Sequence, residues 1–397
     1  MKKVAVIGAK GLPAKQGGIE HHCEEIYSRM VAQGHQVDLF ARSSYTGSTS
    51  VHTDDVKGVR VVSLPCLNPG GMDALLSSAL GAIATLGTRY DIIHFHALGP
   101  SLFTWLPKFA STAKIVATCH GLDWQRAKWN RNTKKLLQYG ERSAVRFADE
   151  MIVVSKDLQS YFKKTYDRET KYIPNAASSL DSSDPSFSFG TGLGLQKERY
   201  IVFLGRLVPE KCPDLLIKAF QKLRPKGWKL ALVGATSDTP HFTTQLAEMV
   251  GNDKDIVFTG ELKGARLAEI IRGAGLFVLP SQLEGLPLAM LEAMQEGVPV
   301  LASDIPVHEQ LVSSDRGMLF RVGDLDSCVR HLDWGVHHPD ELALMASNAQ
   351  KHVQEHYNWD QITTKTLDLY ETLLLCKDLP PVPSPAWLKF PNILAKA

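Results

Sequence analysis

Long apolar runs are missing from this sequence. The most apolar helical candidate, Ala74 to Leu86, covers about 13 residues where roughly 20 are needed to cross a bilayer, so any membrane contact is expected to be peripheral. Paired cysteines are missing as well. Cys23, Cys66, Cys119, Cys212, Cys328 and Cys376 are scattered with no C-x-x-C, which fits a reducing cytosol better than a disulfide framework. Neither sign of charge is in excess: 44 Lys and Arg stand against 42 Asp and Glu, a formal +2 that gives no reason to expect a nucleic-acid partner. The opening run Val4–Gly8 is too short for a signal-peptide core and reads as a strand, which makes a cytoplasmic protein the expectation. A dinucleotide fingerprint is also absent, since Gly8-x-x-Gly11 runs into Pro13 instead of completing G-x-G-x-x-G.

What remains is a chain of 397 residues, enough for two domains with a core each. After the first strand comes the glycine-rich loop Gly11–Gly18, a helical pattern from Ile19 to Gln33 stopped by Gly34, and a second strand at Val37–Ala41. This βαβ start predicts a doubly wound parallel sheet whose ligands lie at the carboxyl ends of the strands. Gly17 and Gly18 fall where the helix begins, so backbone there can approach an anionic ligand closely; a plain flexible turn is the alternative. Further strands end at His94-Phe95-His96 and at Cys119-His120-Gly121. His120 is thus a ligand-side candidate, while a core hydrogen-bonding role stays open. His94, His96 and His120 also raise zinc, at a spacing that matches no compact metal motif. Asp54-Asp55 is a second metal candidate, expected in a loop. The segment 126–146 reads as a strongly basic helix with interleaved Trp129, Leu136, Leu137 and Tyr139. It is either a solvated face or a contact for an acidic membrane surface.

Residues 177–198, rich in Ser, Gly and Asp, read as a linker between domains 1–176 and 199–357. The second domain opens with Tyr200–Leu204, then Arg206 and Lys211 just ahead of a helix start. There a lysine is disfavoured by the helix dipole unless an anion is present. Arginine offers a planar fork to phosphate oxygens and lysine a point charge. Later, the apolar run 275–280 leads through Ser281-Gln282-Leu283-Glu284-Gly285-Leu286-Pro287-Leu288 into a helix that carries Glu292. The helix start suits a phosphate. Two carboxylates frame it, Glu284 for sugar hydroxyls and Glu292 for a ribose diol, against the plainer reading of two surface glutamates. A last helix from about Asp360 and a Pro-rich tail complete 358–397.

The run from Ser281 to Met294, the Arg206/Lys211 pair and the turn at His120-Gly121 together resemble glycosyltransferase family 4, retaining enzymes of the GT-B fold. The fuller loop GLPAKQGGIE is similar to a subgroup associated with bacterial surface-polysaccharide assembly. The resemblance implies two Rossmann-like domains facing a cleft, with the last helix crossing back onto the first. It implies transfer of a hexosyl or deoxyhexosyl group from a nucleoside-diphosphate sugar to a hydroxyl of a carbohydrate or lipid-linked acceptor. By position, it implies catalytic roles for His120, Arg206, Lys211 and Glu284. Donor contacts would come from Gly17, Gly18, Arg206, Lys211, Glu261, Leu262, Glu284, Gly285, Leu286, Leu288 and Glu292. No metal or other cofactor is implied, because fixed cations face the diphosphate. The site is expected to lie in the cytoplasm, peripheral to the inner face of the membrane. A GT-B epimerase acting without an acceptor, or a noncatalytic nucleotide-sugar-binding subunit, would share the same cleft.

Overall fold

Strands buried on both faces are apolar throughout, and that is how this chain builds its two sheets. In β1 (Lys3–Ile7), Val4 to Ile7 are essentially inaccessible, and β9 (Tyr200–Leu204) and β12 (Leu276–Leu279) repeat the pattern. The computed structural model describes residues 1–15, 17–47, 51–65, 72–126, 128–235, 240–313 and 315–375. Gln16 of the glycine-rich loop, Cys66, Cys376 and the Pro-rich tail lie outside the described residues.

The first sheet is ordered β3-β4-β2-β1-β5-β6-β7-β8. Its remaining strands are β2 (Gln36–Arg42), β3 (His52–Val56), β4 (Val59–Leu64), β5 (Ile92–His96), β6 (Lys114–Cys119), β7 (Glu150–Val153) and β8 (Lys171–Tyr172). All pairings are parallel except β3 with β4. That hairpin turns at Lys57-Gly58, both at positive φ, the geometry a two-residue hairpin turn requires. Asp54 and Asp55 therefore stand on an edge strand and not in a loop. Asp54 faces His52, and Asp55 accepts from the Gly58 amide at 2.9 Å as part of the turn, which accounts for both carboxylates without a metal.

The second sheet, all parallel, is ordered β11-β10-β9-β12-β13-β14. It adds β10 (Lys229–Val233), β11 (Ile256–Gly260), β13 (Val300–Ser303) and β14 (Met318–Phe320). Both sheets are doubly wound. Order reverses beside β1 in the first and between β9 and β12 in the second, so a ligand crevice opens at each reversal.

Helices cover the faces by their apolar stripes. In Gly18–Ala32 the buried Cys23, Ile26, Tyr27 and Met30 recur at one helical face. The basic helix begins at Arg131, not Arg126, because Asn130 caps it by accepting from the Thr133 amide at 2.9 Å. The 177–198 stretch is less bare than its composition suggests. It contains the short helix Ser188–Gly192 and is fastened to the second domain by Arg272, which donates to the Asp181 carbonyl at 2.6 Å.

The chain crosses back at Asn358. Helix Pro339–His356 packs on helix Leu288–Gln295 of the second domain, whereas Trp359–Leu375 packs on Gly18–Ala32 of the first. Arg29 donates to Asp360 at 2.7 Å, and the Tyr370 hydroxyl lies 2.6 Å from His94 Nδ1 in the interior. No helix among the described residues is long and apolar enough to cross a membrane.

Candidate functional site

The loops after β9 and β12 meet at the reversal point of the second sheet. Lys211 ends a single turn, Pro209–Lys211, ahead of helix Pro213–Leu223. Its Nζ donates to Glu284 Oε1 at 2.6 Å, and Ser281 Oγ donates to the same oxygen at 2.8 Å. Burial alone would raise the Glu284 carboxyl, but the Lys211 ammonium and these hydrogen bonds outweigh it and hold Glu284 below the usual carboxylate range. The Gln282 amide, donating to the Glu210 carbonyl at 2.9 Å, ties the two loops together.

The opposite wall comes from the end of β6. His120 and Gly121 close over a hollow that also takes in Arg206, Lys211, Glu284 and Gly285. The walls come together at His120 and Gly285. A methyl group built on Gly285 would overlap the backbone carbonyl oxygen of His120, so only glycine permits this approach. The four residues expected to act on the substrate are thus brought into one hollow. Arg126 and Glu210 line it too, and neither was expected there. Arg126 stands before the basic helix rather than on it and pairs with Asp123 at 3.0 Å.

Helix Leu288–Gln295 starts beside this hollow with Pro287 as its cap; the Met290 amide donates to the Pro287 carbonyl at 3.1 Å, while those of Leu288 and Ala289 have no acceptor inside the helix. Leu288 reaches the other wall, 3.3 Å from where a Cβ on Gly18 would sit, so the starts of two helices face each other. Glu292 follows Leu288 by one turn on the same face. Its carboxyl group makes no hydrogen bond among the described residues, and burial, with the nearby Glu296 carboxylate, pushes it up to about 8. A carboxyl raised in the folded state binds a proton there that the unfolded chain releases, so stability falls as pH rises from about 4.5 to about 8. Glu292→Gln should flatten that decline in thermal melts recorded between pH 5 and pH 9. A wild-type melting temperature independent of pH over this window would contradict it.

Leu286 is buried beneath the loop. Glu261 and Leu262 follow β11 at the edge of the sheet, and neither lines the hollow around Lys211. His308 lies on helix Pro306–Val312, after the end of β13. It is buried behind Ser281 and Ser303, and burial pushes it down to about 4. Its Nε2 has no hydrogen-bond partner among the described residues.

Behind His120 lies a buried histidine cluster. His96 Nδ1 is 3.0 Å from His120 Nε2, and the Tyr27 hydroxyl is 2.6 Å from His96 Nε2. His94 turns elsewhere, with Thr118 on Nε2 and the hydroxyls of Tyr27 and Tyr370 at Nδ1. Burial lowers all of these imidazoles, which keeps them neutral at pH 7. The grouping of His94, His96 and His120 therefore does not hold. The member the sequence reading missed is His22, whose ring centroid lies 4.8 Å from that of His120 and 5.2 Å from that of His96. It sits on the buried face of Gly18–Ala32, one position before Cys23, and that spacing was the available clue.

Two family descriptions match the chain: Glycosyltransferase Family 4 over 16–178 and Glycosyl transferases group 1 over 192–352. Among curated proteins, the D-inositol 3-phosphate glycosyltransferase of Gordonia bronchialis is 28% identical, over 93% of this chain and 88% of its own. An uncharacterized glycosyltransferase of Methanocaldococcus jannaschii is 24% identical, over 93% and 98%. Of solved structures, sucrose-phosphate synthase from Thermosynechococcus elongatus superposes with a TM-score of 0.82 at 21% identity, over 95% of this chain and all of that one. Anabaena HepE in complex with UDP-glucose gives 0.77 at 20%, over 94% and all.

Proposed function

For a chain that belongs to the family 4 glycosyltransferases and has the GT-B fold, we propose transfer of a sugar, with retention, from a nucleoside-diphosphate sugar to an acceptor hydroxyl. The observation that carries this reading is the hollow where Arg206, Lys211 and Glu284 of one wall face His120 of the other. The UDP-glucose held by Anabaena HepE supports the class of donor.

The chemical difficulty is the negative charge that grows on the departing diphosphate. Arg206, Lys211 and the start of helix Leu288–Gln295 are fixed positive potential aimed at it before the reaction begins. Transfer in this reading requires no metal ion. Glu284, oriented by Lys211 and Ser281, takes sugar hydroxyls, His120 orients the sugar from the other wall, and Glu292 takes the ribose diol. Closure of the walls around Gly285 keeps out water that would hydrolyse the donor. The anomeric C–O bond to the diphosphate breaks, the acceptor oxygen bonds to the same face, and its proton passes to the departing phosphate oxygen. A protein nucleophile is disfavoured because Glu284 is already engaged by Lys211 and Ser281. Glu210 adds a second carboxylate to the lining of the same hollow, so trapping a covalent glycosyl adduct on Glu284 or Glu210 would overturn same-face attack.

Thermal melts with UDP-, GDP-, ADP- and dTDP-sugars test the donor directly, since binding to the folded state raises apparent stability. At least one should shift the transition, and NMR should then detect sugar transfer with retained configuration when acceptor is present. No shift with any of them would remove the nucleotide-sugar reading.

The acceptor is proposed to be a carbohydrate or lipid-linked sugar of cell-surface polysaccharide or glycolipid assembly, met at an acidic membrane surface. Support comes from helix Arg131–Phe147, where Lys134, Lys135, Arg142 and Arg146 accompany exposed Leu136 and Tyr139. The preceding helix Trp105–Ala110 adds Trp105 and Phe109, 45% and 76% exposed. Vesicles containing anionic lipid should sediment the protein at low salt, and neutral vesicles should not. Lys134→Glu with Lys135→Glu should weaken binding about tenfold or more, at roughly 1 kcal/mol per basic residue. Equal binding to both vesicle types would contradict it.

A further inference from the structure

We infer that His22, His96 and His120 form a binding site for a borderline-soft divalent cation of the zinc type, at the joint between helix Gly18–Ala32 and the carboxyl ends of β5 and β6. One ring nitrogen from each lies within 4.8 Å of the others. Zinc–nitrogen bonds of about 2.0–2.1 Å in a tetrahedral arrangement put ligand nitrogens about 3.4 Å apart and ring centroids about 5 Å apart. The three centroid separations here are 4.8, 5.2 and 5.3 Å, and the closest nitrogen pair is at 3.0 Å. Closing the widest nitrogen gap takes about 1 Å of ring movement.

The outer nitrogens of His22 and His96 are already held. Asn175 Oδ1 lies 2.7 Å from His22 Nδ1, and the Tyr27 hydroxyl lies 2.6 Å from His96 Nε2. A proton on each of these two outer nitrogens leaves the inner nitrogens of His22 and His96 with their lone pairs, which is the orientation metal-bound histidines owe to their surroundings. An all-imidazole set selects zinc, cobalt or nickel over magnesium or calcium, which require oxygen ligands. His22 and His96 are buried, while His120 borders the hollow, so the ion enters from there and its fourth position opens towards it. Once bound, the ion fastens the helix to both strands and fixes the ring of His120. The site shares His120 with the transfer reading, in which no metal takes part.

The test uses untagged full-length protein stripped with chelator and titrated with Co2+ in the absence of nucleotide sugar. One equivalent should produce the visible d–d band of a tetrahedral nitrogen site and raise the melting temperature, with Zn2+ displacing it and Mg2+ having no effect. His22→Gln should weaken Co2+ binding on the order of 100-fold or more, and Asn175→Ala, which removes only the outer partner, by about 10–100-fold. His337→Gln, at an exposed position elsewhere, should bind as the wild type does. Circular dichroism of the metal-free variants establishes that they are folded. Absence of the band in folded wild type, or its full retention in both His22→Gln and Asn175→Ala, overturns the site whatever the outcome of donor-binding experiments.

Discussion

Lys211→Met is expected to abolish transfer, lowering kcat/KM by a factor on the order of 10³ or more. Removing a single preorganised hydrogen-bond donor from a site that stabilises developing charge costs about 10²–10³, and this donor also carries a full positive charge. The substitution acts on stability as well. The Lys211–Glu284 pair is largely withdrawn from solvent, at 15% and 11% side-chain exposure, and removing one partner of a buried pair costs about 3–5 kcal/mol unless the other is neutralised. In the wild type, Glu284 is held below its ordinary value, so its contribution is present above about pH 4.5 and is lost as pH falls. Without Lys211 only burial acts strongly, the shift reverses, and the variant should lose stability as pH rises. Melts of Lys211→Met at pH 5 and pH 8 should therefore diverge, with the larger deficit at pH 8. Adding Glu284→Gln should restore the melting temperature at pH 8 and leave transfer absent. Unchanged activity in Lys211→Met would remove this lysine from the diphosphate clamp.

Gly285→Ala should be nearly as damaging, through shape alone. Its methyl group would overlap the carbonyl oxygen of His120, and the obstacle is backbone that cannot rotate away. The two walls must then separate. A misplacement of about 1 Å in a positioned site costs about 10²-fold in rate, so kcat/KM should fall by about that factor. Gly87→Ala, where nothing lies within 4 Å of the added methyl, should behave as the wild type in steady-state kinetics. Wild-type kinetics in Gly285→Ala would mean that transfer does not depend on how closely the walls approach.

How much of this was legible before folding follows from where the information sits. Runs such as Val4–Ile7 and Leu276–Leu279 are apolar without alternation, which announces parallel strands buried on both faces, and a site at the carboxyl ends of such strands follows from topology. Arg206, Lys211 and Glu284 were found because the motifs that carry them are local. Relations across the chain were not legible. His22 and His120 are 98 positions apart in sequence and meet only because helix Gly18–Ala32 lies against the ends of β5 and β6. Glu210 looked like an ordinary residue beside a helix start until the loop after β12 folded over it. Asp54 and Asp55 were misplaced because an exposed edge strand is polar and lacks the apolar alternation that marks a strand. The basic segment was extended to Arg126 by its charge, although Asn130 at the cap position was the better guide to where the helix begins.

The return of the chain at Asn358 has a mechanical consequence. Two covalent links, one leaving the first domain near residue 177 and one re-entering it at 358, span the gap between the halves. Any opening motion is then confined to a swing about the line through both anchor points, as a door turns on two pins, with sliding and twisting suppressed. A protease nick in the 177–198 segment would remove one pin and leave the other, so the nicked halves should stay together on a sizing column while the jaw loses its fixed axis.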